Sequence, residues 1–303
     1  MQSRRTLTEP SCGVTLCTIV ICTLALSQRA ESLRRAIDSV LLHNVSKPSV
    51  LVVVNGSRFD ARVVDELNAR RDIQVLKIEE GSSAAALLAG RQAIATPYFG
   101  FLDDDDEYLV GAVDVRLAAI AAESDTAVVI SNGWHHSNGR DSIGMPGFGQ
   151  IGDDLLLALF RENWLVSCGA LYRTDAVPVH YFEDLPRHIH WTWLAFCLAQ
   201  DGKRIRSLSS LTFRVYETPG SSSKSDAYFH CQVEIYQRML AKADRSDIAR
   251  LIRRRLAQAW HDVSNYYRAG GVMSKAWICH IRSVSHPSGW KYLSYTRKLL
   301  RIR

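Results

Sequence analysis

The sequence has no CxxC pair, no internal repeat, no low-complexity linker and no apolar run of the roughly 20 residues that a membrane-crossing helix needs. Each absence removes a class of protein. The seven cysteines, at positions 12, 17, 22, 168, 197, 231 and 279, are odd in number and scattered. That spacing argues against a disulfide framework or a zinc ribbon and points to a reducing cytoplasm. What is present is 303 residues, 47% of them hydrophobic, too apolar for a disordered chain. Such a length supports one large α/β core with an accessory region, or two modest domains.

The apolar stretch from Cys12 to Leu26 follows Arg4 and Arg5 and imitates a signal peptide, but its fifteen residues are short of a span. Residues 14–21 are rich in β-branched side chains, so a buried parallel strand is expected instead. Charge is one-sided at the other end. Residues 241–303 hold fourteen Lys/Arg and three Asp, a net of +11 within a total of +6, which leaves the first 240 residues at −5. The basic block is interleaved with Trp260, Tyr266, Tyr267, Trp277, Trp290, Tyr292 and Tyr295. This combination makes the anionic inner face of a membrane a candidate partner, with the protein peripheral on its cytoplasmic side; the alternative is that these aromatics pack the tail onto the rest of the chain. No nucleic acid is expected as a partner.

Over the first 120 residues the patterns of strand and helix alternate. After the first strand, Leu33, Ile37, Val40 and Leu41 recur at helical spacing. Residues 50–54 read as strand ending at the loop signal Asn55-Gly56-Ser57, 63–69 as helix, 73–78 as strand, 84–94 as helix and 98–102 as strand. Val110, Val113, Leu117 and Ile120 mark the helix after that. This alternation predicts a doubly wound, mostly parallel sheet whose ligands lie at the carboxyl ends of strands. Farther on, a strand is expected at 127–131 and a long polar loop at 133–152. Next come a helix at 155–162, a strand at 165–172 and a helix at 191–200. One or two short strands are expected within 205–216, a mobile polar loop at 218–225, and helix from 228 onward.

The chemistry concentrates in Phe101-Leu102-Asp103-Asp104-Asp105-Asp106-Glu107. Four adjacent carboxylates repel one another, so a hydrophobic strand that ends in them calls for a cation. Mn²⁺ or Mg²⁺ prefers carboxylate oxygens and completes its shell with phosphate and water. In a strand-end turn Asp103 and Asp105 point to one side and Asp104 away. A metal held there offsets the charge of a phosphate leaving group. The hydroxyls of residues 221–225 and Lys224 suit a lid over a diphosphate. Trp134, His135 and His136 in the long polar loop are candidates to touch an acceptor.

The order of strand, amphipathic helix, strand ending in Asn-Gly-Ser, then Phe-Leu-Asp-Asp-Asp-Asp resembles the nucleotide-binding half of family 2 glycosyltransferases, over about residues 14–216. The resemblance implies a GT-A fold: an α/β catalytic domain over residues 13–225, divided near 123, between a short tail at 1–12 and a basic helical extension at 226–303. It also implies inverting, metal-dependent transfer of a sugar from a nucleotide-diphosphate donor to a glycan or lipid-linked acceptor in cell-surface polysaccharide synthesis. By resemblance Asp103 contacts nucleotide and metal, Asp105 coordinates the metal, and Asp104 joins the nucleotide-sugar site. Thr23, Arg29, Asn55 and Arg91 stand near the family's nucleotide contacts, and Gly169 stands where donor sugar and acceptor meet.

Two departures stand out. Val54 precedes Asn55 where the family commonly has a base-contacting acid. His190-Trp191 occupies the place of the Glu-Asp pair that often supplies the catalytic base. Asp184, Glu183 and His190 are therefore equal candidates for the base, with His188 behind them. The alternative function is a catalytically inactive GT-A-like scaffold that binds a membrane or polyanion through its tail. Dehalogenase-like phosphatases fit less well, because they carry their aspartates on the first strand; nucleotidyltransferases generally need a basic Gly-rich loop that Leu24-Ala25-Leu26-Ser27 is not.

Overall fold

Runs of β-branched and aromatic residues give the strands that fill the centre of a mixed α/β molecule. A computed structural model describes residues 15–217 and 226–300, so the amino-terminal tail and the loop carrying Lys224 lie outside the described residues. The first half alternates β1 (Cys17–Thr23), α1 (Ala30–Leu42), β2 (Ser49–Asn55), α2 (Ala61–Ala69), β3 (Gln74–Ile78), α3 (Ser83–Ala93) and β4 (Tyr98–Asp103). These strands pair in parallel in the order β3-β2-β1-β4. Such a sheet has both faces covered, which explains why β1 and β2 are almost wholly buried. Helix α3 reaches β1 closely because residue 90 is glycine: a Cβ there would stand 2.6 Å from Val20 Cγ1.

The second half is mixed. It contains β5 (Glu107–Tyr108), α4 (Ala112–Ala122), β6 (Val128–Ser137), β7 (Arg140–Ile143), α5 (Leu155–Arg161), β8 (Ala170–Arg173), α6 (His180–Glu183), α7 (His190–Gln200) and β9 (Ile205–Tyr216). The sheet continues from β4 through β8, β6 and β9 to β5, with β7 on β6. The expected polar loop at 133–152 is in part a hairpin: β6 runs on to Ser137 and pairs with β7, bringing Trp134 opposite Ile143 and His136 opposite Asp141. The polar residues of this segment face solvent from strand backbone, which a polarity argument reads as loop. Residues 205–216 form one long strand rather than two.

Among the described residues four helices follow: α8 (Asp226–Lys242), α9 (Ser246–Ala269), α10 (Met273–Ser285) and, after a 3₁₀ segment at Gly289–Tyr295, α11 (Thr296–Leu300). Cys231, Ile235 and Met239 of α8, with Ile248 and Ile252 of α9, join the main hydrophobic core. No described helix is long and apolar enough to cross a membrane.

Candidate active site

In a doubly wound sheet ligands gather in the crevice at the carboxyl ends of the strands where the strand order reverses. Here the order reverses between β1 and β4, which are paired with Cys22 opposite Asp103. At the crevice β4 ends in a tight turn, closed by the Asp106 N–H donating to the Asp103 carbonyl at 3.2 Å. The turn sends the four carboxylates in different directions. Asp103 is exposed, Asp105 half-buried, and Asp104 and Asp106 are buried.

The Asp104 carboxylate is satisfied from within the protein. It accepts from the Thr23 hydroxyl at 2.6 Å and from Arg29 Nη1 at 2.5 Å, and the same guanidinium lies 3.4 Å from the Asp105 carboxylate. Asp106 accepts the Tyr216 N–H at 3.0 Å, which ties the turn to the end of β9. Arg35 donates to the Asp105 carbonyl at 2.6 Å and lies over the Tyr216 ring, 4.0 Å from its centroid. Asp103 receives the Ser167 hydroxyl at 2.6 Å. Burial of the turn, together with the charges of Asp105 and Asp104, pushes the Asp103 carboxyl up to about 6 against the Ser167 hydrogen bond and Arg29. Asp103 is therefore open to solvent yet walled by protein on most sides, as the floor of a cleft is.

Sequence reasoning assigned no role to Ser167, Arg35, Tyr216 or Arg116. Arg116 is fully buried; it donates to Ser131 Oγ at 3.1 Å, to the Cys168 carbonyl at 2.7 Å and to the Thr212 hydroxyl, and covers the Tyr108 ring. It braces the 3₁₀ turn Ser167–Gly169 that aims Ser167 at Asp103. A signal existed: Arg116 falls on the apolar stripe of Val113, Leu117 and Ile120, where a solvated arginine does not belong.

The other expected site residues scatter. Thr23 and Arg29 join the carboxylates. Asn55 closes β2 at the same edge of the sheet, buried, with its side-chain oxygen lacking a partner. Arg91 does not join them: it lies over the Phe99 ring near the start of β4 and donates to the Thr174 and Val177 carbonyls. Gly169 is enclosed by protein, since a Cβ would stand 2.8 Å from Val166 Cγ2 and 3.1 Å from the Ser131 carbonyl. Lys224 lies outside the described residues.

Of the three candidate bases, Glu183 and Asp184 are exposed, and Asp184 is ion-paired with Arg238 of α8. His190 opens α7; its imidazole is pushed down to about 4 by burial and by His188, and its Nδ1 is buried without a partner. The neighbouring Trp191 ring packs 5.4 Å from Phe101. Phe101 and Asp103 lie two apart on β4 and so face the same side of the sheet, which puts the start of α7 on the Asp103 side. Ile189, just before it, has φ +59°, a left-handed conformation that a β-branched residue adopts only when its surroundings hold it there. Ile189 and Thr192 border a cavity of about 240 Å³ shared with Arg161, Asn163, Gln232 and Arg255. None of the four aspartates lines that cavity.

Among the described residues no three His, Cys, Asp or Glu side chains converge into a metal cage. Asp103 and Asp105, the two less buried carboxylates of the turn, fit instead a hard divalent cation that draws most of its ligands from phosphate and water.

Comparison with known proteins agrees with this architecture. The sequence model for glycosyl transferase family 2 matches residues 18–181. Among solved structures, S. aureus TarS residues 1–349 in complex with UDP-GlcNAc superposes with a TM-score of 0.60 at 14% identity, covering 86% of this chain and 75% of that one. The complex of the same protein with UDP gives 0.56 at 14% identity with the same coverages. The longer TarS structure gives 0.56 at 14% identity over 85% of this chain and 45% of that one. At this identity the likeness shows a shared GT-A fold. Comparison with curated sequences finds no match. Because the family pattern spans more than half of the 303 residues and includes the carboxylates seated at the crevice of this fold, the chain belongs to glycosyl transferase family 2.

Proposed function

We propose that this glycosyltransferase takes a nucleotide-diphosphate sugar as donor and transfers the sugar with inversion, aided by Mn²⁺ or Mg²⁺, to a glycan or lipid-linked acceptor in cell-surface polysaccharide synthesis. The observation that carries the reading is the division of labour at the end of β4: Asp104 is engaged by Thr23 and Arg29, while the Asp103 carboxylate faces out of the crevice. Asp103 and Asp105 would hold the cation, which when bound supplies positive charge against the diphosphate leaving group. Asn55 offers its unpartnered oxygen to a ring N–H of the base. UDP and UDP-GlcNAc are the molecules found with TarS, which makes a UDP-sugar the first donor to try.

His190 is the base this arrangement favours. It lies on the Asp103 side of the sheet and is neutral at neutral pH, the protonation state a base needs. The cavity beside Ile189 and Thr192, with Arg161, Asn163 and Gln232 in its wall, is where the acceptor's remaining groups would rest. A screen of nucleotide sugars by thermal shift, with Mn²⁺ and with chelator, tests the donor reading. One UDP-sugar should raise the melting temperature only when metal is present. Stabilisation independent of metal would remove the cation from the mechanism. Binding without turnover or donor hydrolysis would leave the inactive scaffold.

A further inference from the structure

We infer that the last helical segment, residues 289–300, is a membrane-contacting surface for anionic lipid, with Trp290, Leu293 and Leu300 as its inserting side chains. The tail is rich in aromatics, yet the structure spends most of those rings on packing. Tyr295 is buried with Ala276 and Leu299; Trp260 and Tyr267 pack at the α9–α10 interface, and Tyr292 stacks on His261. What remains outside is different: Trp290 at 73% exposure, Leu293 at 56% and Leu300 at 65%.

These three are placed by helical geometry. In the 3₁₀ segment Gly289–Tyr295, residues three apart eclipse, so Trp290 and Leu293 project together. Arg297 and Leu300 continue the stripe at i+4 and i+3 along α11, while Tyr295 and Leu299 face inward. Lys291, Arg297 and Lys298 stand exposed among the apolar groups. The segment is thus amphipathic in the sense of an interfacial helix: its inner face is already used, and its outer face mixes large apolar groups with cations.

Charge decides the partner. Residues 263–303 contain no Asp or Glu. Among the described residues, no cation beyond Arg245 forms an ion pair. A second copy of the chain would bring the same positive charge to this face and repel it, whereas an anionic leaflet supplies what the cations lack and accepts the apolar side chains as well. A soluble polyanion would use the cations and leave Trp290 and Leu293 idle.

The test uses the full-length protein and sedimentation with vesicles of phosphatidylcholine alone or with phosphatidylglycerol added. Binding should require the anionic lipid and weaken as salt is raised. Trp290→Ser with Leu293→Ser should lower vesicle affinity by at least about tenfold. The triple change Lys291→Ala, Arg297→Ala, Lys298→Ala should lower it on the order of a hundredfold at low salt. Neither variant should alter the melting temperature, because the substituted side chains are exposed. Equal binding to both vesicles, or no binding, would overturn the proposal. So would cationic dependence without any effect of the serine variant, which indicates a polyanion, or a concentration-dependent dimer abolished by the serine variant, which indicates self-association. Vesicle binding is read without turnover, so a failure here leaves the transferase reading untouched.

Discussion

Asp103 and Asp104 are adjacent and chemically identical, and the turn alone gives them different work. Asp104 locks Thr23 and Arg29 to β4; Asp103 is held by one hydroxyl and otherwise faces the crevice. Asp105→Ala should therefore abolish metal-dependent transfer with circular dichroism and melting unchanged, and Asp103→Ala should in addition weaken nucleotide affinity. Wild-type turnover in either variant would refute the assignment. The Asp103 carboxyl is raised, so the folded state keeps its proton where the unfolded chain has lost it. Its contribution to stability is thus present at acid pH and falls as pH rises from about 4 through 6. A cation binding the ionised carboxylate works in the opposite sense. Mn²⁺ should raise the melting temperature strongly above about pH 7 and little below about pH 5, with the difference lost in Asp103→Ala. A rise equal at both pH values would exclude Asp103 as a ligand. For His190, replacement by Gln should lower kcat by about 10²–10⁴-fold while donor affinity stays within experimental error. If Glu183→Gln or Asp184→Asn shows that loss instead, the base lies on the exposed turn.

At the scale of elements, the site depends on a 3₁₀ turn that supplies no charge. Ser167 reaches Asp103 because residues 167–169 turn where they do, held by Arg116 from α4 and closed around Gly169. Gly169→Ala forces Val166 and the Ser131 carbonyl apart and should cost about 1–3 kcal/mol. Arg116→Met leaves the Cys168 carbonyl, Ser131 and Thr212 short of a donor and should cost a similar amount. Both losses are measurable by denaturant unfolding, and both should reduce turnover through Ser167. Unchanged stability in Arg116→Met would mean that water or a shifted side chain replaces its hydrogen bonds. Element positions were largely legible in the sequence, because periodicity reports which side of a helix or strand is buried. The hairpin at 128–143 was not, because its outer residues are polar and only the pairing of β6 with β9 and β7 makes them strand.

For the whole molecule, the carboxyl-terminal helices are part of the body that carries the site. Ile248 and Ile252 of α9 sit in the same core as β1 and β4, and Arg238 of α8 pairs with Asp184. Ending the chain after Lys242 would expose that core, so such a truncation should lower the melting temperature and favour aggregation. A truncated protein as stable as the full chain would show that α9 adds no core. For this reason point substitutions on the outer face of residues 289–300, rather than deletion, separate lipid binding from folding.

The sequence by itself determined the alternation of strand and helix, the carboxylates at a strand's carboxyl end and the positive charge of the tail. These follow from local periodicity and composition, which each segment carries alone. Only the tertiary structure decided that Asp104 turns inward while Asp103 faces out, that Arg91 bonds the Val177 carbonyl while Gly169 is enclosed by Val166 and the Ser131 carbonyl, that Ser167 reaches Asp103, and that Trp290 rather than Tyr295 remains exposed. Each of those outcomes depends on which neighbour, distant in sequence, reaches a given side chain first, and that is a property of the packed chain.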